Sequence, residues 1–276
     1  MPESPEVDAL AGFLRENAVG ARIEAVELIE FRALKTRARP LDELVGETVT
    51  AVRRFGKHLS LDTTGADLVI SFGRAGWATW SDGTAPTDDA GSGQADGPAV
   101  LARLRFDGGR ELAVTDAGDW LSLGLSVVDD PTEVSSIAKL GPDPSARGYS
   151  QADLDAVLVG RRKQLRALLQ EQESLAGIGG AYSDEILFAA RLDPLMHASD
   201  LTEGERARLF VALRQVLAEA FAACVGVPID RQKAEKAARM RVHGRAGEPC
   251  PEGDGVVVDV PGTKGAGQYC PARQTR

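Results

Sequence analysis

The amino terminus carries two residues that could together perform nucleophilic catalysis. Methionine is normally removed before a residue as small as proline, which would give Pro2 a free secondary amine. A secondary amine that attacks a sugar C1′ carbon forms a cationic iminium, an electron sink for a later elimination. Its pKa lies below that of lysine, and Glu3 could protonate the sugar ring oxygen as the ring opens. Taken alone, Met-Pro-Glu is more simply a common start followed by a helix cap.

Two further segments have residue types that suit phosphate binding. Lys57 lies in the basic segment 53–58, between two strand-like runs, where a lysine suits phosphate contact and proton transfer. Taken alone, that segment is more simply a solvated basic turn.

The second segment, 175–180, is glycine-rich and leads into a helix whose first backbone N–H groups can donate to a phosphate. Asp184 and Glu185 in the first turn of this helix complement its dipole.

Local patterns predict the elements that position these residues. Ser4, Pro5 and Glu6 predict a helix start, with Ser4 as the N-cap and Pro5 at the first helical position. Short runs bounded by turn residues then predict seven strands of a β-sandwich. These runs are 23–29, 48–52, 58–61, 67–72, 100–106, 111–115 and 121–128. The polar segment 81–98 predicts a mobile loop between two strands.

From residue 150 the pattern is helical. Leucines at 154 and 158 begin one apolar stripe, and leucines at 165, 168 and 169 begin another. A second helix is predicted over 181–190 and a third over about 202–223. The last segment is rich in glycine and proline and contains one β-type run, 256–260, which predicts a small hairpin. The fold class is therefore α+β.

Composition limits the protein's function class. The chain has 276 residues, 43% of them hydrophobic, and lacks both a run long enough to span a membrane and a secretory start, so a cytoplasmic protein is expected. Its three cysteines do not form a disulfide framework. A net charge of −9 argues against indiscriminate nucleic-acid binding. From residue 231 onward, however, nine Lys/Arg outnumber five Asp/Glu, which makes this end a candidate polyanion-facing surface.

Several motifs occur together along nearly the whole chain. They are Pro2-Glu3-x-Pro5-Glu6-Val7, Gly56-Lys57, Leu140-Gly141-Pro142-Asp143, Ala176-Gly177-Ile178-Gly179-x-x-Tyr182-x-Asp184-Glu185, and the ending Arg241-Val-His-Gly-Arg-x-Gly-x-Pro-Cys250-Pro with Gln268-Tyr-Cys-Pro. In this combination and order, the chain resembles the formamidopyrimidine-DNA glycosylase / endonuclease VIII family.

The resemblance implies a fold, a partner and site residues. It implies a catalytic β-sandwich domain at 1–130, a linker at 131–149, a helix–two-turns–helix DNA-binding domain at 150–235 and a hairpin finger at 236–276. The expected partner is double-stranded DNA with a damaged base or an abasic site, bound by a monomer that needs no cofactor and contacts no membrane. Pro2 is the implied Schiff-base nucleophile, Glu3 the acid/base, Glu6 a supporting carboxylate and Lys57 the hairpin lysine near the lesion.

The finger departs from the family pattern. The family uses two Cys-x-x-Cys pairs, because a structural zinc site takes four ligands. Here Gly253 and Arg273 stand where the second cysteine of each pair is expected, which leaves Cys250 and Cys270. We therefore predict a finger without metal. His243 could lend a third ligand, although a surface-loop histidine is the simpler interpretation.

The DNA-binding positions depart as well. The helix–turn–helix asparagine is replaced by Gly180, and the only cation near the position of the finger's usual arginine is Lys264. Arg74 stands for the methionine that fills the space left by a flipped base, and the intercalation loop reads Asp-Ala-Gly-Asp-Trp-Leu at 116–121. Trp120 could serve as the wedge in that loop, whereas core packing is an equal alternative for Trp120 and Trp77. The predicted DNA-binding residues are Arg54, Arg74, Trp120, Arg166, Gly179, Gly180, Tyr182 and Lys264.

Three functions are compatible with this sequence. The first is a glycosylase with abasic-site lyase activity, since the nucleophile, the acid and the lysine are all present. The second is a catalytically weak or inactive protein that binds DNA damage, for which glycine at position 180 and the missing arginine argue. The third is a specialist for bulky alkylated adducts, because the altered wedge and finger would leave a wider cleft.

Overall fold

The structure, a computed structural model, describes residues 1–83 and 97–275. The loop predicted over 81–98 lies largely outside the described residues. Two compact units are formed: unit 1 comprises Met1–Ala138 and Pro228–Arg231, and unit 2 comprises Lys139–Val227 and Gln232–Arg276. The finer division, with a linker at 131–149 and a separate finger, stays a prediction.

Unit 1 begins with helix α1 (Ser4–Asn17). The predicted N-cap was wrong: Glu3 has the extended backbone of an N-cap residue, and Ser4 is already helical. Glu3 and Glu6 form a capping box instead of the expected hydroxyl cap. The Glu3 side chain accepts from the Glu6 N–H, and the Glu6 carboxylate accepts from the Glu3 N–H at 2.8 Å. The predicted apolar stripe is buried against the sheets through Val7, Leu10 and Leu14.

The described part of unit 1 contains eight strands in two antiparallel sheets. They are β1 (Ile23–Leu28), β2 (Val49–Phe55), β3 (His58–Thr63), β4 (Asp67–Ser71), β5 (Gly76–Ser81), β6 (Ala99–Phe106), β7 (Glu111–Asp116) and β8 (Gly124–Val128). One sheet has the order β1-β6-β7-β5 and the other β2-β3-β4-β8. Each of the seven predicted runs overlaps a strand. Strand β5 was not predicted, because Gly-Trp-Ala-Thr-Trp-Ser lacks a regular apolar–polar alternation.

One hydrophobic core joins α1 to both sheets of unit 1. Trp77 on β5 belongs to this core, which decides between the alternatives left open for it. Its indole Nε1 donates a hydrogen bond to the carbonyl oxygen of Ile229 at 2.7 Å, and Ile229 is itself buried in the core. The segment Pro228–Arg231 therefore completes unit 1 from far along the chain, which local sequence patterns did not predict. A short helix, α2 (Ser135–Ala138), ends the first segment of the unit.

Unit 2 is helical at its centre. Its helices are α3 (Gln151–Leu158), α4 (Leu165–Leu169), α5 (Gly180–Ala190), α6 (Glu203–Cys224) and α7 (Gln232–Arg239). The predictions for α5 and α6 are confirmed to within one residue at each end, and Thr202 caps α6 through its side chain. Helix α7 was not predicted, because Gln-Lys-Ala-Glu-Lys-Ala-Ala-Arg offers only alanine as an apolar residue. This α+β architecture is the predicted fold class.

The carboxy-terminal hairpin pairs β9 (Val258–Asp259) with β10 (Gln268–Tyr269). Its paired strands are shorter than the predicted run 256–260, because pairing within that run is limited to β9 and an isolated bridge between Pro249 and Val256. Within the described ranges, the structure contains no helix with the length and apolar character needed to cross a membrane.

Candidate active site

The first residues of the chain are buried at the start of α1. Pro2, Glu3 and Glu6 are all buried. The 2.8 Å hydrogen bond from the Glu3 N–H to the Glu6 carboxylate fixes the backbone that presents the Glu3 side chain. Glu6 therefore supports Glu3 through its main chain.

Lys57 lies in the tight turn between β2 and β3. Phe55 and His58 are paired across this turn, so it consists of Gly56 and Lys57 alone. Gly56 adopts a φ of 56°, a left-handed conformation that residues with a Cβ rarely adopt. The glycine is thus the residue that allows so short a turn to present Lys57.

Packing of α1 on β2 brings this turn to the amino terminus of the helix. Arg15, near the end of α1, donates from Nε to the Val52 carbonyl oxygen at 2.9 Å. Asp8, near the start of α1, accepts from Arg54 Nε at 3.2 Å. The helix and the strand therefore run antiparallel. As β2 approaches its turn, α1 approaches its amino terminus, so the turn of Lys57 lies toward the end that carries Pro2 and Glu3.

The Arg54 side chain lies within unit 1 at this point. Only 12% of it is exposed, and its Nη1 donates to the Gly56 carbonyl oxygen at 3.1 Å in addition to the bond with Asp8. These are contacts within the protein. The geometry gives no support to the contact with DNA that we predicted for Arg54.

His58 follows Lys57 and is neutral over a wide pH range. Burial, with a smaller contribution from the positive charge of Lys57, lowers the pKa of His58 to about 4. Its Nδ1 lies 2.7 Å from the Ser71 hydroxyl oxygen on β4. The first residue of β3 is thereby attached to the neighbouring strand.

Asp116 organises the loop that corresponds to the predicted intercalation loop. Its carboxylate accepts backbone N–H bonds from Gly118 at 2.9 Å, Ser122 at 2.8 Å and Leu123 at 3.0 Å. Burial alone would raise the pKa of Asp116, but these hydrogen bonds outweigh it and the pKa is lowered. The carboxylate therefore stays charged and holds the loop in one shape, a role that the sequence analysis did not assign.

This loop presents Trp120 to solvent. The residue is 85% exposed, which excludes core packing, and its role as a wedge stays a prediction. Arg74 is exposed too, and its backbone N–H donates to the Ser122 hydroxyl at 2.8 Å. Arg74 and Trp120 are therefore carried by two connected segments of unit 1, beside the exposed Asp119.

In unit 2, the amino terminus of α5 is formed by Gly179, its N-cap, and Gly180. Arg166 reaches this point from α4: its Nε donates to Asp184 Oδ1 at 2.6 Å and its Nη2 to the Ala266 carbonyl oxygen at 2.5 Å. A Cβ on Gly180 would lie 3.4 Å from the Arg166 guanidinium. Arg166 thus joins α4, α5 and the finger, which sequence reasoning missed. Its contact with phosphate stays a prediction.

The two remaining predicted positions differ in exposure. Tyr182 is buried in the helical core, with Lys236 Nζ 4.3 Å from its ring centroid, so a direct contact with DNA would require its ring to move. Lys264 is exposed at the tip of the finger hairpin, with a φ of 52°. Of these two, Lys264 is available to a polyanion as the structure stands.

Comparison with known proteins identifies the family. The family model described as the formamidopyrimidine-DNA glycosylase N-terminal domain matches residues 1–119, and the one described as the formamidopyrimidine-DNA glycosylase H2TH domain matches residues 140–227. A formamidopyrimidine-DNA glycosylase of Salinispora arenicola is 34% identical, over 91% of this chain and 88% of its own. The chain belongs to the formamidopyrimidine-DNA glycosylase family. The resemblance inferred from the motifs is confirmed.

Further relatives also match along nearly the whole length of this chain. The formamidopyrimidine-DNA glycosylase of Cereibacter sphaeroides is 30% identical and is covered along its whole length, with 99% of this chain. Among solved structures, a Lactococcus lactis formamidopyrimidine-DNA glycosylase in complex with DNA containing FAPY-dG superposes with a TM-score of 0.84. It covers 99% of this chain and 100% of that one at 22% identity, which shows the shared fold.

In the finger of this chain, an apolar cluster and an Arg–Glu–Arg group occupy the place where the family pattern has two Cys-x-x-Cys pairs. Cys250 and Cys270 are buried in a small apolar cluster with Phe188, Val242 and Val257. Arg273, which stands for a cysteine in the family pattern, lies over the Phe188 ring with its guanidinium carbon 4.9 Å from the centroid. Arg241 lies over the same ring at the same distance, and both arginines form ion pairs with Glu252.

These residues do not fit a zinc ion. Only two thiols, Cys250 and Cys270, are present in this cluster, whereas a structural zinc site takes four ligands. His243, the suggested third ligand, has its Nδ1 2.7 Å from Asp184 Oδ2. Across residues 1–83 and 97–275, no group of three or more His, Cys, Asp or Glu side chains could hold a metal ion. The metal-free finger stays a prediction, and the Phe188 cluster with its Arg–Glu–Arg group is the arrangement that favours it.

Proposed function

We propose that this chain excises a damaged base from DNA and then cleaves the strand at the resulting abasic sugar, with Pro2 as the nucleophile. The observation that carries the proposal is the antiparallel packing of α1 on β2, which brings the turn of Lys57 toward the end that holds Pro2 and Glu3. A nucleophile, an acid and a cation thereby belong to one end of unit 1. Removal of Met1, which is half-exposed, would free the Pro2 nitrogen.

The proposed chemistry uses this chain's own residues. The Pro2 nitrogen attacks C1′ as the bond between C1′ and the damaged base breaks, and the proton that the amine gives up leaves with the base. Glu3 donates a proton to the ring oxygen as the sugar opens, and an iminium forms on Pro2. The Glu3 carboxylate then accepts a C2′ proton while the 3′ phosphate leaves. Water hydrolyses the iminium and releases the amine. Lys57 contributes positive charge beside the departing phosphate.

The proposed partner is double-stranded DNA that contains a damaged base or an abasic site, bound by a monomer. Arg74, Trp120 and Lys264 are the predicted contacts that the structure leaves exposed. An exposed indole can occupy an unstacked base step, and exposed cations can contact phosphates. The amino terminus of α5 at Gly179 and Gly180 adds backbone donors for a phosphate.

Trapping with borohydride tests the nucleophile. The protein with a free Pro2 amine is incubated with abasic-site duplex and borohydride, and the covalent adduct is measured on a denaturing gel. We expect an adduct that disappears when the amine is blocked by a retained methionine or an amino-terminal tag. A Lys57→Ala variant with a free amine is the control and should still trap. Undiminished trapping by the blocked protein would instead assign the nucleophile to a lysine.

The same assay separates the alternative of an inactive damage-binding protein. That alternative is favoured by Asp119, an exposed acid in the loop where the family pattern has arginine. A protein of this kind would bind abasic DNA without forming an adduct. The bulky-adduct alternative would give an adduct with abasic DNA, and release of alkylated bases in preference to small oxidised ones would distinguish it.

A further inference from the structure

We propose that Arg54 is a positioning residue that holds the Lys57 turn against α1, and that it does so from within the protein. The inference rests on the proposed roles of Lys57 and Pro2. It replaces the contact with DNA predicted for Arg54 by a role in the geometry of the site.

Two hydrogen bonds of Arg54 join the two elements that carry the catalytic groups. Its Nε bonds Asp8 on α1 at 3.2 Å, and its Nη1 bonds the carbonyl oxygen of Gly56 at 3.1 Å. That carbonyl belongs to the peptide group that joins Gly56 to Lys57. Fixing its direction therefore fixes the plane from which the Lys57 side chain leaves the turn. Because a guanidinium is planar and rigid, both bonds are made from one fixed group.

The ladder between β2 and β3 does not provide this restraint by itself. Its pairing ends at Phe55 and His58, and Gly56 and Lys57 project beyond it. The Gly56 carbonyl takes no part in the pairing of β2 with β3 and accepts a hydrogen bond from outside that pairing. Arg54 supplies that contact, and the helix to which it is bonded is held at its start by the bond from Glu3 to Glu6.

The preceding residue, Arg53, is a matched comparison within the same strand. Successive side chains of a strand point to opposite faces, and Arg53 pairs with Asp62 and with Asp67, the latter at 3.7 Å. Its side chain is 46% exposed, against 12% for Arg54. Both residues are strand arginines with carboxylate partners, but only Arg54 bonds to the Lys57 turn.

Single-turnover kinetics on abasic duplex tests the inference with Arg54→Gln, Arg53→Gln and Asp8→Asn. We expect Arg54→Gln to lower the rate of strand cleavage by about 10–100-fold, because small misplacements of a catalytic group have effects of this size. In a Lys57→Ala background, Arg54→Gln should leave DNA affinity and its salt dependence unchanged. Asp8→Asn should lower the rate in the same direction, and Arg53→Gln should leave it unchanged.

A Lys57→Ala background gives a readout that a general structural role would not produce. If Arg54 acts by placing Lys57, then Arg54→Gln should have little further effect once Lys57 is absent. An equal loss of rate with and without Lys57 would overturn the inference. So would a decrease of about 0.9 in the slope of log affinity against log salt when Arg54→Gln is added to Lys57→Ala, because that decrease would mean that Arg54 itself contacts a phosphate.

Folding and the proposed function are controlled separately. Arg54→Lys keeps the positive charge but cannot make both bonds from one rigid group, so its rate should fall as well. If Arg54→Gln fails to fold, Arg54→Lys and Asp8→Asn decide the question. A failure of the unmodified protein to form the borohydride adduct would contradict the proposed function. Normal trapping by the unmodified protein together with normal rates in Arg54→Gln, Arg54→Lys and Asp8→Asn would contradict only the role of Arg54.

Discussion

Replacing Glu252 by glutamine should loosen the finger, because one carboxylate neutralises two arginines there. Arg273 and Arg241 both pair with Glu252, and both guanidinium groups lie over the Phe188 ring. Glutamine has nearly the same shape but no charge. The variant therefore leaves two like charges over one aromatic ring without their common partner. It tests whether this group holds the finger closed in place of a metal.

The magnitude follows from exposure. The side chains of Arg241 and Glu252 are 43% and 35% exposed, so their ion pair is screened and contributes no more than about 0.5 kcal/mol. Arg273 is 15% exposed, and its charge-assisted bond contributes about 1 kcal/mol. We therefore expect Glu252→Gln to lower the free energy of opening the finger by roughly 1–2 kcal/mol. That corresponds to about a 5- to 30-fold increase in the open population.

Amide hydrogen exchange measures this opening directly. The N–H of Cys250 is bonded to the Gly255 carbonyl at 3.0 Å and that of Val257 to the Glu248 carbonyl at 2.9 Å, so both report on the closed finger. Their protection should fall by the factor given above, while amides of β4 in unit 1 should not change. Glu248→Gln, which removes the 3.4 Å ion pair with Arg245 in the same finger, is the matched control. Unchanged protection in Glu252→Gln, or loss of protection in the unmodified protein on adding a chelator, would refute the reasoning.

Two further predictions concern unit 1. Because the folded protein keeps His58 neutral down to a pKa of about 4, its stabilising contribution is complete above pH 6.5 and is lost as the pH falls from 6.5 to 4, by at most about 3 kcal/mol. A His58→Gln variant should therefore show a shallower fall in unfolding free energy over that range, and an identical profile would contradict the assignment. Trp120→Ala should weaken binding to abasic duplex by about 10-fold or more and leave the thermal midpoint unchanged, because the side chain is 85% exposed. Equal affinity in a titration of labelled duplex would remove Trp120 from the interface.

Local sequence patterns predicted the helices and strands better than they predicted the hydrogen-bond partners of individual side chains. The strands other than β5 and the helices α5 and α6 were predictable because alternation, helical spacing and capping residues are local properties of the sequence. The predicted cap of α1 was wrong because Ser4 satisfies the usual preference, whereas the N-cap is Glu3 in a capping box with Glu6. No local rule indicates that Arg54 and Arg166 have carboxylate partners on other elements. The exposure of single side chains was not predictable either, since only the structure shows that Trp77 is buried and Trp120 is exposed.

The return of Pro228–Arg231 to unit 1 has a consequence for how the chain can fold during synthesis. The indole N–H of Trp77 and the apolar site filled by Ile229 remain incomplete until the ribosome has translated most of the second unit. A fragment that stops at Ala138 would expose this part of the core and lack the acceptor for Trp77. The two units are therefore not independent modules in the order of translation. Unit 1 is translated first, but its core is complete only after residues 228–231 have been added.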